Sequence, residues 1–208
     1  MNGIVNRTSI KDVLRDASAG SEVTVGGWVR TVRTSKGGFS FLALNDGSCL
    51  ACIQIIADKD LPNYEGEIIR LSTGCSVIVT GQVKQSPGKG QRVELQAAHV
   101  RIIGWADVKS YPIQPKHHTF EFLRTQAHLR PRTNTFGAMA RVRSAMAGLI
   151  HKYFQSCGYV YVHTPLITAS DCEGAGQLFR VTTLNPDDTP RSRDGNVDHA
   201  QDFFGRTT

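Results

Sequence analysis

Between Glu22 and Ile103 apolar and polar residues alternate in short runs separated by turn-forming residues. Successive side chains of a strand point to opposite faces, so this period of two predicts five β-strands, over residues 23–32, 39–44, 50–56, 75–83 and 92–103. Asn45-Asp46-Gly47 reads as a hairpin turn and Ser86-Pro87-Gly88-Lys89-Gly90 as a second, flexible one. Residues 64–71 carry a helical pattern between the third and fourth strands. A short helix over 10–18, with Thr8 and Ser9 available as caps, is expected to plug one end of the array. The period changes after residue 134. Met139, Val142, Met146, Leu149, Ile150, Tyr153 and Phe154 recur near helical spacing until Gly158, which predicts a long helix over about 135–157. An apolar run over 158–162, strand-like in composition, then breaks at Thr164-Pro165.

Five strands with one helical segment after the third is the order of an OB-fold barrel, although alternation alone equally allows another small barrel. The expected organisation is an all-β OB-fold barrel over 1–104, a hinge or linker over 105–132 containing Pro112 and Pro115, and an incomplete α+β domain over 133–208. With 208 residues, 40% hydrophobic and 20% charged, the chain can bury a core, and two domains fit its length. No apolar run approaches the roughly 20 residues that cross a bilayer. The first residues lack the basic-then-apolar order of a signal peptide, so the expected place is the cytoplasm, with no membrane partner. Five cysteines include one CxxC spacing, Cys49 and Cys52, within strand-like sequence. Without a second close pair this argues for reduced, packed thiols rather than a zinc or redox site.

Charge separates the segments more than the total of +6 does. Residues 1–104 hold twelve basic and nine acidic side chains, 105–143 seven and two, and 144–208 five and seven. The basic middle suits either a solvated linker or a strip that meets a nucleic-acid backbone. Phe39 and Phe41 share one face by period two, either as barrel core or as rings on which bases stack. Trp28, on a glycine-flanked strand, reads as core. Lys36, in the turn before the second strand, reads as solvated or as a phosphate contact. His117, His118 and His128 lack the spacing of a zinc site, and no metal is expected. In the EGAG stretch a carboxylate, Glu173, lies beside Gly174 and Ala175. Such a loop can accept hydrogen bonds from an ammonium group while admitting the ligand's backbone, which suits an α-amino acid. Asp171 reads as a brace for that loop, and a solvent-facing acid is open for both.

The order of long helix, glycine, aromatic-rich strand and Thr-Pro pair resembles motif 1 of the class II aminoacyl-tRNA synthetases. The stretch TASDCEGAGQLF and the segment His117 to Ser144, HHTFEFLRTQAHLRPRTNTFGAMARVRS, resemble the asparaginyl branch of the aspartyl, asparaginyl and lysyl subgroup. Aligned on Gly27-Trp28-Val29 and Asn45-Asp46, the first part resembles that subgroup's anticodon-binding domain. The resemblance implies that Phe41 stacks on the middle anticodon base, with Arg33 and Gln54 as polar contacts to it. It implies Glu173, Gly174 and Ala175 at the amino-acid site, and Pro165 across the axis of a homodimer. It makes 105–132 a hinge beside the tRNA acceptor arm, whose arginines divide between phosphate contacts and interdomain salt bridges.

The activity so implied is ATP-dependent, Mg2+-assisted asparaginylation of tRNA(Asn). An aspartyl enzyme of relaxed specificity and a non-catalytic OB-fold RNA-binding paralogue stand as alternatives. Motif 2 and motif 3, which hold ATP in the family, have no counterpart in these 208 residues. The expectation is therefore a truncated N-terminal portion, inactive alone, with no catalytic residue of its own and neither ATP nor Mg2+ bound well.

Overall fold

The computed structural model describes residues 6–35, 37–88, 90–167, 181–203 and 205, and divides the chain into two compact units, 1–148 and 149–208. In the first, strands β1 (Glu22–Ser35), β2 (Phe39–Asn45), β3 (Ile53–Asp58), β4 (Ser76–Gln85) and β5 (Val93–Gly104) close into a barrel in the order β1-β2-β3-β5-β4. β1 is long enough to serve two neighbours. Its Glu22–Trp28 half pairs with β4 and its Trp28–Ser35 half with β2, with a register shift between Val29 and Thr31. The parallel contact of β3 with β5, through Ile55↔Leu95 and Ile56↔Gln96, completes the ring. Closure pairs strand edges that would otherwise be exposed.

Alternation sorts the side chains. Leu42 and Leu44 of β2, Ile53 and Ile55 of β3, Val77, Val79 and Val83 of β4 and Leu95 of β5 fill the interior with almost no exposure. Burying one such side chain stabilises by about 1.5–3 kcal/mol. The intervening residues, Phe39, Phe41 and Ala43 on β2 and Gln54, Ile56 and Asp58 on β3, lie on the outer face.

Helix α1 (Ile10–Asp16) packs Ile10 and Val13 into this core. Ser9 Oγ caps it by accepting the Asp12 N–H at 3.1 Å, and the Ile10 N–H donates to Asp46 Oδ2 at 2.9 Å. At its other end Arg92 Nη2 donates to the carbonyl oxygens of Val13, Leu14 and Ala17. These contacts satisfy terminal groups that a seven-residue helix cannot pair internally.

Several elements differ from the sequence pattern. The helical insert is reduced to one 3-10 turn, Ile68–Arg70. Its neighbour Tyr64 is buried, and its hydroxyl lies 3.0 Å from Ser40 Oγ inside the barrel. β3 begins at Ile53, not at Leu50, because Asn45 Nδ2 donates to the carbonyls of Cys49 and Ala51 and holds 46–52 as a loop. Trp28 is not core: it is 38% exposed, on the face of β1 opposite the buried Val25 and Val29.

After β5 the chain forms α2 (Phe120–Thr125), a 3-10 turn over Arg130–Arg132, and α3 (Asn134–Ser156). Helix α3 ends in the second unit on Gly158 at φ +87°. The Tyr159 N–H donates to the Phe154 carbonyl and the Gly158 N–H to that of Gln155, the pairing of a Schellman cap. The Phe154 and Tyr159 rings meet edge to face at 5.6 Å over this turn. The strand expected over 158–162 is not formed: none of the five described strands pairs with it, and an extended segment keeps strand geometry only against a neighbour. Farther on, Asp202 gathers the Thr182 hydroxyl, the Thr183 N–H and hydroxyl, and the Phe203 N–H. Those hydrogen bonds, the Thr183 N–H foremost, hold its carboxyl well below the usual carboxylate range.

Candidate nucleic-acid interface

The outer face of β2 and β3 meets the β4–β5 loop in a cleft of about 580 Å³. Phe39, Phe41 and Ile56 form its apolar wall, Ser86, Pro87, Gly88 and Gln91 face them from the loop, and Gln54, Asp58 and Glu94 supply its polar groups. The Phe39 and Phe41 rings stand edge to face, with centroids 5.1 Å apart and planes at 88°. That arrangement is favourable between aromatic quadrupoles and fixes the tilt of both rings. Of the two readings open for Phe41 the geometry selects the outer face, where a ring can stack on a planar base.

Gln54 and Glu94 are neighbours because β3 and β5 run parallel in register. Gln54 Nε2 donates to Glu94 Oε2 at 3.2 Å, and the same oxygen receives Ser86 Oγ at 3.3 Å and Gln91 Nε2 at 3.4 Å. Glu94 is only 6% exposed, so its partners hold it in one position. With its NH2 given to Glu94, Gln54 turns its carbonyl oxygen away from that carboxyl. The amide therefore presents an acceptor, the group that recognises an N–H on a base edge. Farther along the face Gln96 Nε2 donates to Asp58 Oδ2 at 2.6 Å, and Lys84 Nζ to Gln96 Oε1 at 3.2 Å.

Arg33 is exposed on β1 as the direct cross-strand partner of Phe41. Phe41 and Gln54 thus share the cleft, and Arg33 stands beside Phe41 on the neighbouring strand. Glu94 was not expected. Period two from the buried Val93 and Leu95 places it outward, and pairing β5 beside β3 would have found it. Lys36, Asp171, Glu173, Gly174 and Ala175 lie outside the described residues. Pro165 is described, just beyond the exposed residues Tyr159 to Val162.

The arginines expected to divide between phosphate contacts and interdomain salt bridges make several contacts within the chain. Arg124 lies 3.5 Å from Glu121, the Arg130 guanidinium sits 5.0 Å from the Phe136 ring centre, and that of Arg132 sits 4.2 Å from the Trp28 ring centre. Among the described residues no cluster of three His, Cys, Asp or Glu side chains could hold a metal ion. Cys49, Cys52 and Cys75 are free thiols, and burial pushes that of Cys52 up. No described helix is long and apolar enough to cross a membrane.

Comparison with known proteins follows the same division. Residues 23–103 match the model of an OB-fold nucleic acid binding domain, and residues 120–189 match the class II tRNA synthetases of the D, K and N group. A barrel with an outward aromatic pair, followed by the opening of that second domain, defines part of a class II aminoacyl-tRNA synthetase. The asparagine–tRNA ligase of Hahella chejuensis is 52% identical over 202 residues, 96% of this chain and 43% of the relative. That of Mannheimia succiniciproducens is 56% identical over 200 residues, with 95% and 43% covered. Over 95–96% of its length the chain is similar to asparagine–tRNA ligases, and it spans less than half the length of these relatives. Among solved structures, asparaginyl-tRNA synthetase from Pyrococcus horikoshii complexed with asparaginyl-adenylate superposes with a TM-score of 0.74 over 92% of this chain and 42% of that one. At 22% identity the likeness is one of fold.

Proposed function

We propose that this chain is the RNA-reading part of an asparagine–tRNA ligase, its barrel binding the anticodon of tRNA(Asn). The observation that carries the reading is the outward Phe39–Phe41 pair beside a glutamine whose orientation Glu94 fixes. Asparagine anticodons have uracil in the middle, and the N3–H of uracil is a donor suited to Gln54 Oε1. Cytosine carries an acceptor at that position and is disfavoured. Phe41 supplies the stacking platform and Arg33, beside it, a further polar contact.

The organisation that goes with this reading is an anticodon module to residue 104, a hinge over 105–132, and from 133 the beginning of a catalytic domain. The whole ligase joins asparagine to its tRNA in the cytoplasm with ATP and Mg2+. The amino-acid site is assigned to Glu173, Gly174 and Ala175, outside the described residues. No described residue is assigned to ATP or Mg2+. The exposed stripe of α3 and Pro165 are proposed to form a homodimer contact, so sedimentation equilibrium should show concentration-dependent association. A strictly monomeric chain at 100 µM, roughly the range where weak contacts register, would remove that assignment.

Fluorescence anisotropy with a labelled asparagine-anticodon stem-loop tests the central claim. Removing a base-aromatic stack costs about 1–3 kcal/mol, so Phe41→Ala should weaken binding by roughly 5- to 150-fold. Because Phe41 faces outward, its loss should leave the barrel folded. Equal binding by parent and by folded Phe41→Ala would refute the reading.

A further inference from the structure

Trp28 lies where β1 passes from β4 to β2, in register with Ser76 on one side and Asn45 on the other. The Arg132 guanidinium stacks on its indole, and Arg132 Nη1 donates to the Tyr111 hydroxyl at 3.0 Å. Tyr111 lies flat on Gly74, where a Cβ would come within 2.8–2.9 Å of three atoms of the ring. Gly74, at φ +96°, in turn donates its N–H to the Val29 carbonyl at 2.9 Å. One arginine thus ties the end of the 105–132 segment to its beginning, and both to the strand crossing of the barrel.

The first turns of α3 seat beside this stack. Arg30 Nη2 donates to Asn134 Oδ1 at 3.2 Å, and Arg141 Nη2 donates to the Gly47 carbonyl. The buried Gly137 sits so close that a Cβ would lie 2.8 Å from the Pro131 carbonyl oxygen and 3.3 Å from Leu50. The loop that receives Arg141 and Gly137 joins β2 to β3, the strands that carry Phe41 and Gln54.

We infer that Trp28, Arg132 and Tyr111 are positioning residues, whose stack fastens the first turns of α3, Asn134 to Arg141, against the loop that joins β2 to β3, the strands of the base-reading face. The functional sense rests on the anticodon reading; the fastening is tested without it. A guanidinium on an indole suits this role, because it is planar, permanently charged and retains a free edge for the tyrosine. It binds without burying an unpaired charge.

Amide hydrogen exchange on the whole 208-residue chain, in parallel with stem-loop anisotropy, tests it. Arg132→Ala should speed exchange at Thr133 and Gly137 by about tenfold, the scale of one partly buried cation–π contact. The barrel amides of Val29 and Leu42 should keep their protection, and stem-loop affinity should stay within about twofold. Trp28→Phe retains a ring and should keep most of the protection. Trp28→Leu, apolar but without a ring face, should behave as Arg132→Ala does. Tyr111→Phe deletes one hydroxyl with no risk to the fold, and should raise exchange at Thr133 by about threefold, less than the full worth of a charge-assisted hydrogen bond because the guanidinium stays on the indole and reaches water. Unchanged protection at Thr133 and Gly137 in Arg132→Ala and Tyr111→Phe overturns the proposal, as does Leu serving as well as Phe at position 28. A parent chain that fails to bind the stem-loop refutes the anticodon reading alone.

Discussion

In the barrel every second residue of β2 and β3, and of β4 as far as Val83, is buried, whereas along α3 Met139, Val142, Met146, Leu149, Ile150, Tyr153 and Phe154 are all 45–64% exposed. Both regions are rich in large apolar side chains, and topology makes the difference. A sheet closed on itself supplies each strand's hydrogen-bonding partners and turns one face of all five strands onto a common interior. A single helix satisfies its backbone alone but can bury a stripe only against another surface. Of the 23 residues in α3 only Gly137 is buried, and it lies against Leu50 of the barrel loop. The barrel therefore carries its own stability, while α3 depends on its cap at Gly158 and its seat near Trp28.

The largest contrast should appear under denaturant. Leu42→Ala empties a fully buried site and should cost about 2–5 kcal/mol in urea unfolding. Val142→Ala, at an exposed helix position, should change stability by no more than about 0.5 kcal/mol. A loss above about 1 kcal/mol for Val142→Ala would mean that the stripe is covered in solution and would break the comparison.

A smaller effect sharpens the barrel's side of it. On the proposed reading its inner face fixes stability and its outer face recognition, so Glu94→Gln should spare folding but release the orientation of Gln54. Glutamine at 94 can donate as well as accept, so the Gln54 amide is free to present either end. Discrimination between stem-loops with uracil and cytosine at the middle position should fall by about tenfold, within the range of one hydrogen bond to a base edge. Undiminished discrimination in Glu94→Gln would detach the carboxylate from base reading.

Periodicity carried most of the barrel into view from the sequence. Strands β2, β4 and β5 lie within about two residues of their expected bounds; β2 and β4 keep one face inward, and β5 changes face only where its register with β4 shifts at Ala98. Alternation fails where the backbone departs from a regular ladder. The Asn45 side-chain bonds hid the late start of β3. Trp28 reads as core from its glycine neighbours, although period two from Val25 and Val29 turns it outward. Residues 64–71 looked helical because Tyr64, Ile68 and Leu71 fall at near-helical spacing, and all three are buried by turns of the chain. Phe41 and Gln54, named from the resemblance, line one cleft. Glu94 needed the parallel pairing of β3 with β5, a contact between strands distant in sequence. The Arg132–Trp28 stack was invisible for the same reason, joining positions that no local pattern relates.

Acid offers the most delicate separation of the two regions. Burial by itself raises the Asp46 carboxyl, but hydrogen bonds from the Ser48 hydroxyl and from the Ile10 and Ser48 N–H groups outweigh it and leave the group below its ordinary value. A carboxyl whose folded pKa lies below its unfolded value, about 3.9, contributes its stability in full above that value. The contribution fades as pH falls through the folded pKa, and α1 then loses the anion that receives its first N–H. Helix α3 contains no Asp or Glu between Asn134 and Ser156, so no carboxylate of its own titrates in that window. Between about pH 5 and pH 2.5, the thermal midpoint of the barrel should fall, and it should fall less in Asp46→Asn than in the parent. The Cα chemical shifts of Ala145 and Met146 should hold their helical values through the part of the titration in which the barrel remains folded. An Asp46→Asn chain with the full acid slope of the parent would place the sensitivity elsewhere, and early loss of helical shifts in α3 would show that the helix draws on the barrel for more than its first turns.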